Sequence, residues 1–210
     1  KKVNKVKTAL IIGAGSIGQR HIRNLKKIGI NDIIALRSKK GHYKKLPKDL
    51  QVIEVNSWDD AIEKKPDIAV ISNPTGLHLE VASKISKHVK GVFIEKPLSN
   101  SLEQCQELID TLEENKVVSF VGHNLMFHPI IKKIIKFYDE NDVGEIINIQ
   151  CQVGQWLPDW HPDEDYKKAY FARKGLGGGV ALTLIHEIHL VIELAGLPIG
   201  VSGEITGYKK

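Results

Sequence analysis

A short β-branched apolar run over residues 7–12 leads directly into Gly13-Ala14-Gly15-Ser16-Ile17-Gly18, and an amphipathic stretch opens at Ile17. Each glycine in that turn meets a separate steric demand. Gly13 permits the tight strand-to-helix turn, Gly15 lets the backbone approach a pyrophosphate at the helix N-terminus, and Gly18 lets the helix pack closely on a sheet. Ser16 and Ile17, which lie between them, are expected to share the contact with a dinucleotide. The same glycines in another doubly wound protein would serve a nucleotide fragment only, so the rest of the pattern decides.

That pattern alternates from residue 6 to residue 122. Strands are expected over 7–12, 32–36, 68–71, 92–95 and 117–121, with helices over 17–28, 58–64, 77–87 and 102–115. Alternation of this kind builds a parallel sheet covered on both faces, with right-handed crossovers. Ser101 and Gln104 read as a capping box for the last of these helices, and Gly91 as the stop of the one before it. After residue 122 the rhythm changes. A helix is expected over 127–138, a strand over 145–155, an aromatic loop over 156–168, a helix over about 179–194 and a further strand from residue 200. The division is therefore a dinucleotide-binding Rossmann domain over 1–122 and a partial substrate-binding and oligomerisation α/β domain over 123–210.

The 210 residues are 42% hydrophobic and 26% charged, the balance of a folded globular chain, with no apolar run long enough to cross a bilayer. A cytoplasmic setting follows. Cys105 and Cys151 are the only cysteines, too few for a disulfide scaffold or a cysteine zinc module. The formal charge of +5 comes from 26 lysines and four arginines scattered in short groups. Nucleic-acid surfaces concentrate charge and favour arginine, so this distribution better suits a phosphorylated or nucleotide-linked small molecule. Asp159, His161, Asp163 and His189 have no spacing that would converge on a metal.

Selection between the two dinucleotides is read about 20 residues beyond the first glycine, where an acidic residue accepts the adenosine ribose hydroxyls in NAD sites. Here the segment is Leu36-Arg37-Ser38-Lys39-Lys40. Arg37 and Ser38 can donate to a 2′-phosphate and the two lysines add charge, which favours NADP over NAD. Asp32 comes too early.

Two further groups carry chemistry. Lys96, in Glu95-Lys96-Pro97, closes the expected fourth strand of the notation above, at the sheet edge where ligands of open α/β sheets bind. Its ammonium can hydrogen-bond to a hydroxyl or ketone oxygen. His186 lies among Leu182, Leu184, Ile185 and Ile188, where a neutral imidazole is a competent proton acceptor.

Together these residues resemble the Gfo/Idh/MocA oxidoreductase family. The resemblance includes the Gly13 to Gly18 turn, Asn73-Pro74 with His78, Glu95-Lys96-Pro97, Gly122-His123-Asn124 ending at Phe127-His128-Pro129, and the Gly178-Gly179 entry to the His186 helix. It implies a Rossmann domain joined to an open-sheet α/β domain that walls the substrate site and forms homo-oligomers. It also implies hydride transfer between NAD(P) and a hydroxyl or keto carbon of a sugar, nucleotide sugar or polyol, in a branch linked to bacterial surface sugars. By that resemblance Lys96 contacts the reacting oxygen and His186 shuttles the proton. Asn73, Pro74, His78 and Asn124 line the cofactor, and Glu95 lies near its nicotinamide ribose. Three positions depart: the acidic partner expected before the histidine falls on Leu182 or Thr183, the acidic residue after it is His189, and an arginine before the Phe-x-Pro is Met126. Members commonly run longer, so the second domain reads as C-terminally short. A noncatalytic dinucleotide-binding regulatory or structural role is the alternative.

Overall fold

The computed structural model describes residues 6–38, 45–141, 144–160 and 164–205; Lys39, Lys40, His161 and Asp163 lie outside the described residues. Its organising element is a six-stranded, wholly parallel sheet of β1 (Thr8–Ile12), β2 (Asp32–Leu36), β3 (Ile53–Val55), β4 (Ile68–Ile71), β5 (Gly91–Glu95) and β6 (Val118–Gly122). The order is β3-β2-β1-β4-β5-β6, the doubly wound arrangement whose sequence of strands reverses direction between β1 and β4.

Both faces of the central strands are buried. Along β1, Ala9 and Ile11 pack with Ile22 and Leu25 of α1 (Ser16–Lys27). Leu10 and Ile12 point the other way, into a cluster with Val81, Ala82 and Ile85 of α3 (His78–Ser86) and Leu108 and Leu112 of α4 (Cys105–Glu114). Alternate side chains of one strand thus feed two cores, which is why these strands read as unbroken apolar runs. The short α2 (Trp58–Glu63) is capped by Ser57, whose hydroxyl accepts from the Asp60 amide. Helix α1 ends on Gly29, at φ +89°, with the Gly29 and Ile30 amides returning to the Lys26 and Leu25 carbonyls.

The local expectations fail at four points. Strand β3 is short and half exposed, without the apolar run that marks a central strand. Ser101 does not form a capping box: its hydroxyl accepts from the Glu103 amide, closing a turn two residues on, and the helix starts at Cys105 after Gln104 at φ +62°. Gly91 opens β5 and does not stop α3, which ends at Ser86; a Cβ on Gly91 would press to 3.3 Å from the Val118 carbonyl. Beyond β6, residues 145–155 and 200–205 are not hydrogen-bonded as strands, because no neighbouring strand lies beside them among the described residues.

The chain divides into two compact units. The first is residues 1–123 together with 155–183, and so contains α6 (Leu157–Trp160) and α7 (Val180–Thr183) as well as the sheet. The second is 124–154 with 184–210, built on α5 (Pro129–Asp139) and α8 (His186–Ala195). His128 caps α5, its Nδ1 accepting from the Ile130 amide, and Pro129 occupies the first helical position. No single helix among the described residues is long and apolar enough to cross a membrane.

Asp67 clamps the amino-terminal edge of the sheet, accepting from the Lys7 and Thr8 amides at 2.9 and 3.2 Å and from Lys90 Nζ at 2.6 Å. The Lys90 hydrogen bond and these amides hold its carboxyl at about 2. A depressed carboxyl stabilises the fold above its unfolded value near 3.8 and stops doing so as pH falls through about 2. Asp67→Asn should therefore cost about 1 kcal/mol at neutral pH, discounted for the solvent-exposed lysine partner. Urea unfolding of both proteins at pH 7 and pH 2 checks this, and a stability gap that stays constant between the two would refute it.

Candidate functional site

The site grows from the turn between β1 and α1. Gly13, at φ +91°, brings its Cα so close to the β4 end that a Cβ would lie 2.6 Å from the Asn73 amide nitrogen, while a Cβ on Gly18 would collide with the Gly13 carbonyl. Ser72 Oγ donates to that carbonyl at 2.7 Å. Gly15 differs: it faces open space, caps α1 in extended conformation with no side-chain hydrogen bond, and no acidic residue stands in the first turn. A helix start without a side-chain cap, beside the open space at Gly15 and at the sheet's switch point, fits a pyrophosphate. Asn73 Oδ1 lies beside this turn, buried and without a partner among the described residues. Gln19 reaches back to the Ala14 carbonyl at 3.4 Å, bracing the loop.

At the adenosine corner Arg37 is only 5% exposed, and its Nη1 donates to Glu54 Oε2 of β3 at 2.7 Å. Ser38 is exposed beside it. An acidic group does stand in this corner, but it comes from β3 and engages the arginine. The sequence could not show this, because the neighbourhood arises from the pairing of β2 with β3.

At the carboxyl end of β5, three sequence-derived residues meet. His78 is 1% exposed; its Nδ1 lies 2.9 Å from the Pro97 carbonyl and its Nε2 2.9 Å from the Asn73 carbonyl. Burial pushes its pKa down while the carbonyls oppose that effect. A neutral imidazole has one N–H, so His78 donates to one of these two carbonyls and lies against the other, inside the core and not presenting its ring at the surface. Lys96 Nζ donates to the Thr183 carbonyl at 2.8 Å, the last residue of α7. The loop that delivers Thr183 sits against the same turn: Gly177 at φ +81° would place a Cβ 2.6 Å from the Thr75 Cβ, and Gly178 abuts the Phe171 carbonyl. Thr183 Oγ1 is buried without a partner among the described residues.

Glu95 accepts from His21 of α1, Nε2 to Oε1, at 2.6 Å. Burial alone would raise its carboxyl, but the hydrogen bond and charge of His21, with help from Lys96, hold it below the usual range. Tyr170, 39% exposed, has its hydroxyl pushed up first by burial and then by the charges of Glu95 and Glu164. Sequence reasoning missed His21, Thr183 as a lysine partner, and Tyr170. For His21 a signal existed: three residues beyond Gly18, it lies on the sheet-facing stripe of α1.

In the second unit, the expected helix over 179–194 is broken at Leu184-Ile185, so His186 opens α8. His186 is half-buried, and His189 lies 3.5 Å from Glu193 one turn on. Asn124 starts a 3₁₀ turn ending at Phe127. Among the described residues no three histidine, cysteine, aspartate or glutamate side chains come together as a metal site.

A doubly wound sheet with an open glycine cradle at its switch point and a lysine one strand away defines the class of dinucleotide-binding Rossmann proteins. Residues 7–123 match the Gfo/Idh/MocA oxidoreductase family, NAD-binding Rossmann fold, and the chain belongs to that family. It is 28% identical over 152 residues to the 2,7-anhydro-N-acetylneuraminate hydratase of Escherichia coli, covering 72% of this chain and 40% of that one. The crystal structure of myo-inositol 2-dehydrogenase from Lactobacillus plantarum is 26% identical with a TM-score of 0.61, over 68% of this chain and 44% of its own. The WlbA dehydrogenase of Bordetella pertussis, solved with NADH and UDP-GlcNAcA, shares the fold at 16% identity and a TM-score of 0.73, over 91% and 59% of the two chains. The chain spans half or less of the length of the curated relatives it matches first.

The glycines give a contrast that stability and binding can separate. Gly15→Ala should leave the melting temperature nearly unchanged, because its Cβ meets open space, yet weaken dinucleotide binding about tenfold or more by standing where the pyrophosphate approaches. Gly18→Ala should instead destabilise the fold outright. Calorimetric melting together with NADH and NADPH titration checks both. Equal affinity of Gly15→Ala and the parent would place the pyrophosphate elsewhere.

Proposed function

We propose that the protein is an NAD(P)-dependent oxidoreductase of the cytoplasm, moving a hydride between nicotinamide and a hydroxyl or keto carbon of a sugar, nucleotide sugar or related polyol. The observation that carries this reading is Lys96, held by the Thr183 carbonyl at the carboxyl edge of the sheet that also bears the open glycine cradle. The nicotinamide, when bound, supplies or accepts the hydride. Gly13, Gly15, Ser16, Ile17 and Gly18 would hold the pyrophosphate, and Asn73 and Pro74 the nicotinamide half.

An ammonium donates through N–H bonds only, and the bond to Thr183 orients the Lys96 group. Lys96 is therefore suited to grip a substrate oxygen and stabilise the charge that develops on it. His186 is the proposed proton shuttle, a half-buried imidazole at the first position of its helix. The relatives' names point to carbohydrate substrates: a sialic acid derivative in one and an inositol in another. Exposed apolar side chains of the second unit, such as Ile147 and Val201, support homo-oligomerisation. The alternative, a noncatalytic dinucleotide-binding protein of the family, is favoured by Leu182 or Thr183, and His189, standing where acidic residues are expected.

Lys96→Met should keep NADPH affinity within about twofold of the parent and reduce turnover on a sugar panel about a hundredfold or more. Turnover unaffected by that change would remove the lysine from the chemistry, and binding without turnover in the parent would favour the noncatalytic alternative.

For the cofactor we infer a preference for NADP, because Arg37 and Ser38 follow β2 where NAD sites carry a carboxylate. Glu54 restrains that preference by engaging the guanidinium. Glu54→Gln should tighten NADPH relative to NADH about threefold to tenfold, whereas Arg37→Gln should weaken NADPH selectively. Paired titrations decide it: ratios that do not move in either variant would leave the arginine without a part in selection.

A further inference from the structure

His21 lies on the same face of α1 as Gly18, Ile22 and Leu25, turned to the sheet. Its Nε2 is 2.6 Å from Glu95 Oε1, and both side chains are 19% exposed. An ionised carboxylate only accepts, so the imidazole donates. The ring is braced from the side as well: it meets Phe93 edge-on at 5.0 Å between centroids, and Phe93 leans on Phe120 at 5.6 Å. Gly122 leaves the space this requires, since a Cβ there would come within 2.7 Å of Phe93 Cζ. The second carboxylate oxygen is also engaged: Glu95 Oε2 accepts from the Lys96 amide at 3.3 Å.

Resting on the oxidoreductase reading, we propose that His21 is a positioning residue that acts through Glu95: it ties the pyrophosphate-binding helix to the strand end bearing Lys96 and sets the direction and charge of the carboxylate beside that lysine. A hydrogen bond between residues 74 apart in sequence joins the element that would hold the pyrophosphate to the strand end beside the nicotinamide half. The other charged or titratable groups facing this carboxylate are Lys96, at the same strand end, His78 on α3, and Tyr170 in the 3₁₀ turn Tyr170–Ala172. His78 and Tyr170 both feel the Glu95 charge, which favours the proton on each of them. Burial works against an ionised Glu95, and the His21 bond is the largest influence opposing it. Without His21 the carboxyl midpoint must rise. As pH falls through that midpoint, the carboxylate is neutralised and its hold on the Lys96 amide weakens.

Three proteins test this: the parent, His21→Phe, which keeps a ring against Phe93 and drops the donor, and His21→Gln, which keeps a donor. His21→Leu replaces the phenylalanine variant if the larger ring prevents folding. The Glu95 side-chain carboxyl is followed against pH by carbon-13 NMR, with Glu95→Gln assigning the resonance, and NADPH and NADH are titrated in parallel. His21→Phe should raise the Glu95 midpoint by about one pH unit or more and weaken NADPH about threefold to tenfold, with His21→Gln recovering most of both. A Glu95 midpoint that does not move in a folded His21→Phe protein would overturn the proposal, as would identical behaviour of the Phe and Gln variants. A parent that binds neither dinucleotide defeats the oxidoreductase reading instead, and the Glu95 midpoint then still decides whether His21 sets the carboxylate.

Discussion

The approach of two backbones at the carboxyl ends of β1 and β4 governs the rest of the site. Gly13 comes so near Asn73 that no side chain fits between them, and the Ser72 hydroxyl closes the remaining gap on the Gly13 carbonyl. Because the strand order reverses here, α1 departs to one face of the sheet and α3 to the other. The crevice between them is a product of topology, and the glycines make it narrow enough for backbone amides to bind directly. Packing on both faces makes the arrangement rigid: Ile22 and Leu25 hold α1 down while Val81, Ala82 and Ile85 hold α3.

The polar groups around this crevice are linked by short contacts and not by bulk charge. His78 spans two carbonyls, one from the Asn73 turn and one from Pro97, so the segment that follows β4 and the segment that follows β5 share one imidazole. Glu95 takes a donor from α1 and another from the next backbone amide. These contacts lie in buried or half-buried places, where an unpaired group would be costly and a paired one is correspondingly directional. The net basic charge of the chain contributes little to this geometry; its lysines are mostly solvent-facing.

What was legible in the sequence follows from how local each feature is. Strands β1, β2 and β4 are buried on two faces and β5 on one, so they announce themselves as apolar runs, and the glycine turn carries its own steric logic. Strand β3 is short, edge-placed and half exposed, so nothing in residues 53–55 marks it. Its consequence for the site is equally hidden: the position of Arg37 after β2 points to a phosphate, while its carboxylate partner arrives only through the β2–β3 pairing. His21 and Glu95 were each visible, one unremarked on a helix and one in a motif, but no periodicity connects residues on different elements. The strand expected over 145–155 shows the converse, alternation without a partner strand to satisfy its backbone.

The acceptor for Lys96 changes what position 183 has to supply. The family resemblance implies an acidic partner for the His186 imidazole at Leu182 or Thr183, and neither side chain supplies one. Here the lysine bonds to the Thr183 main-chain carbonyl, at the end of a one-turn helix whose entry is determined by glycines packed against Thr75 and Phe171. A carbonyl is present whatever the side chain, so the geometry of the lysine depends on the path of the loop more than on the identity of residue 183. The departure therefore removes the carboxylate expected to orient the His186 imidazole while leaving the direction of Lys96 in place. Glu95 is the carboxylate whose field reaches Lys96, and the hydrogen bond and charge of His21 hold its carboxyl below the usual range.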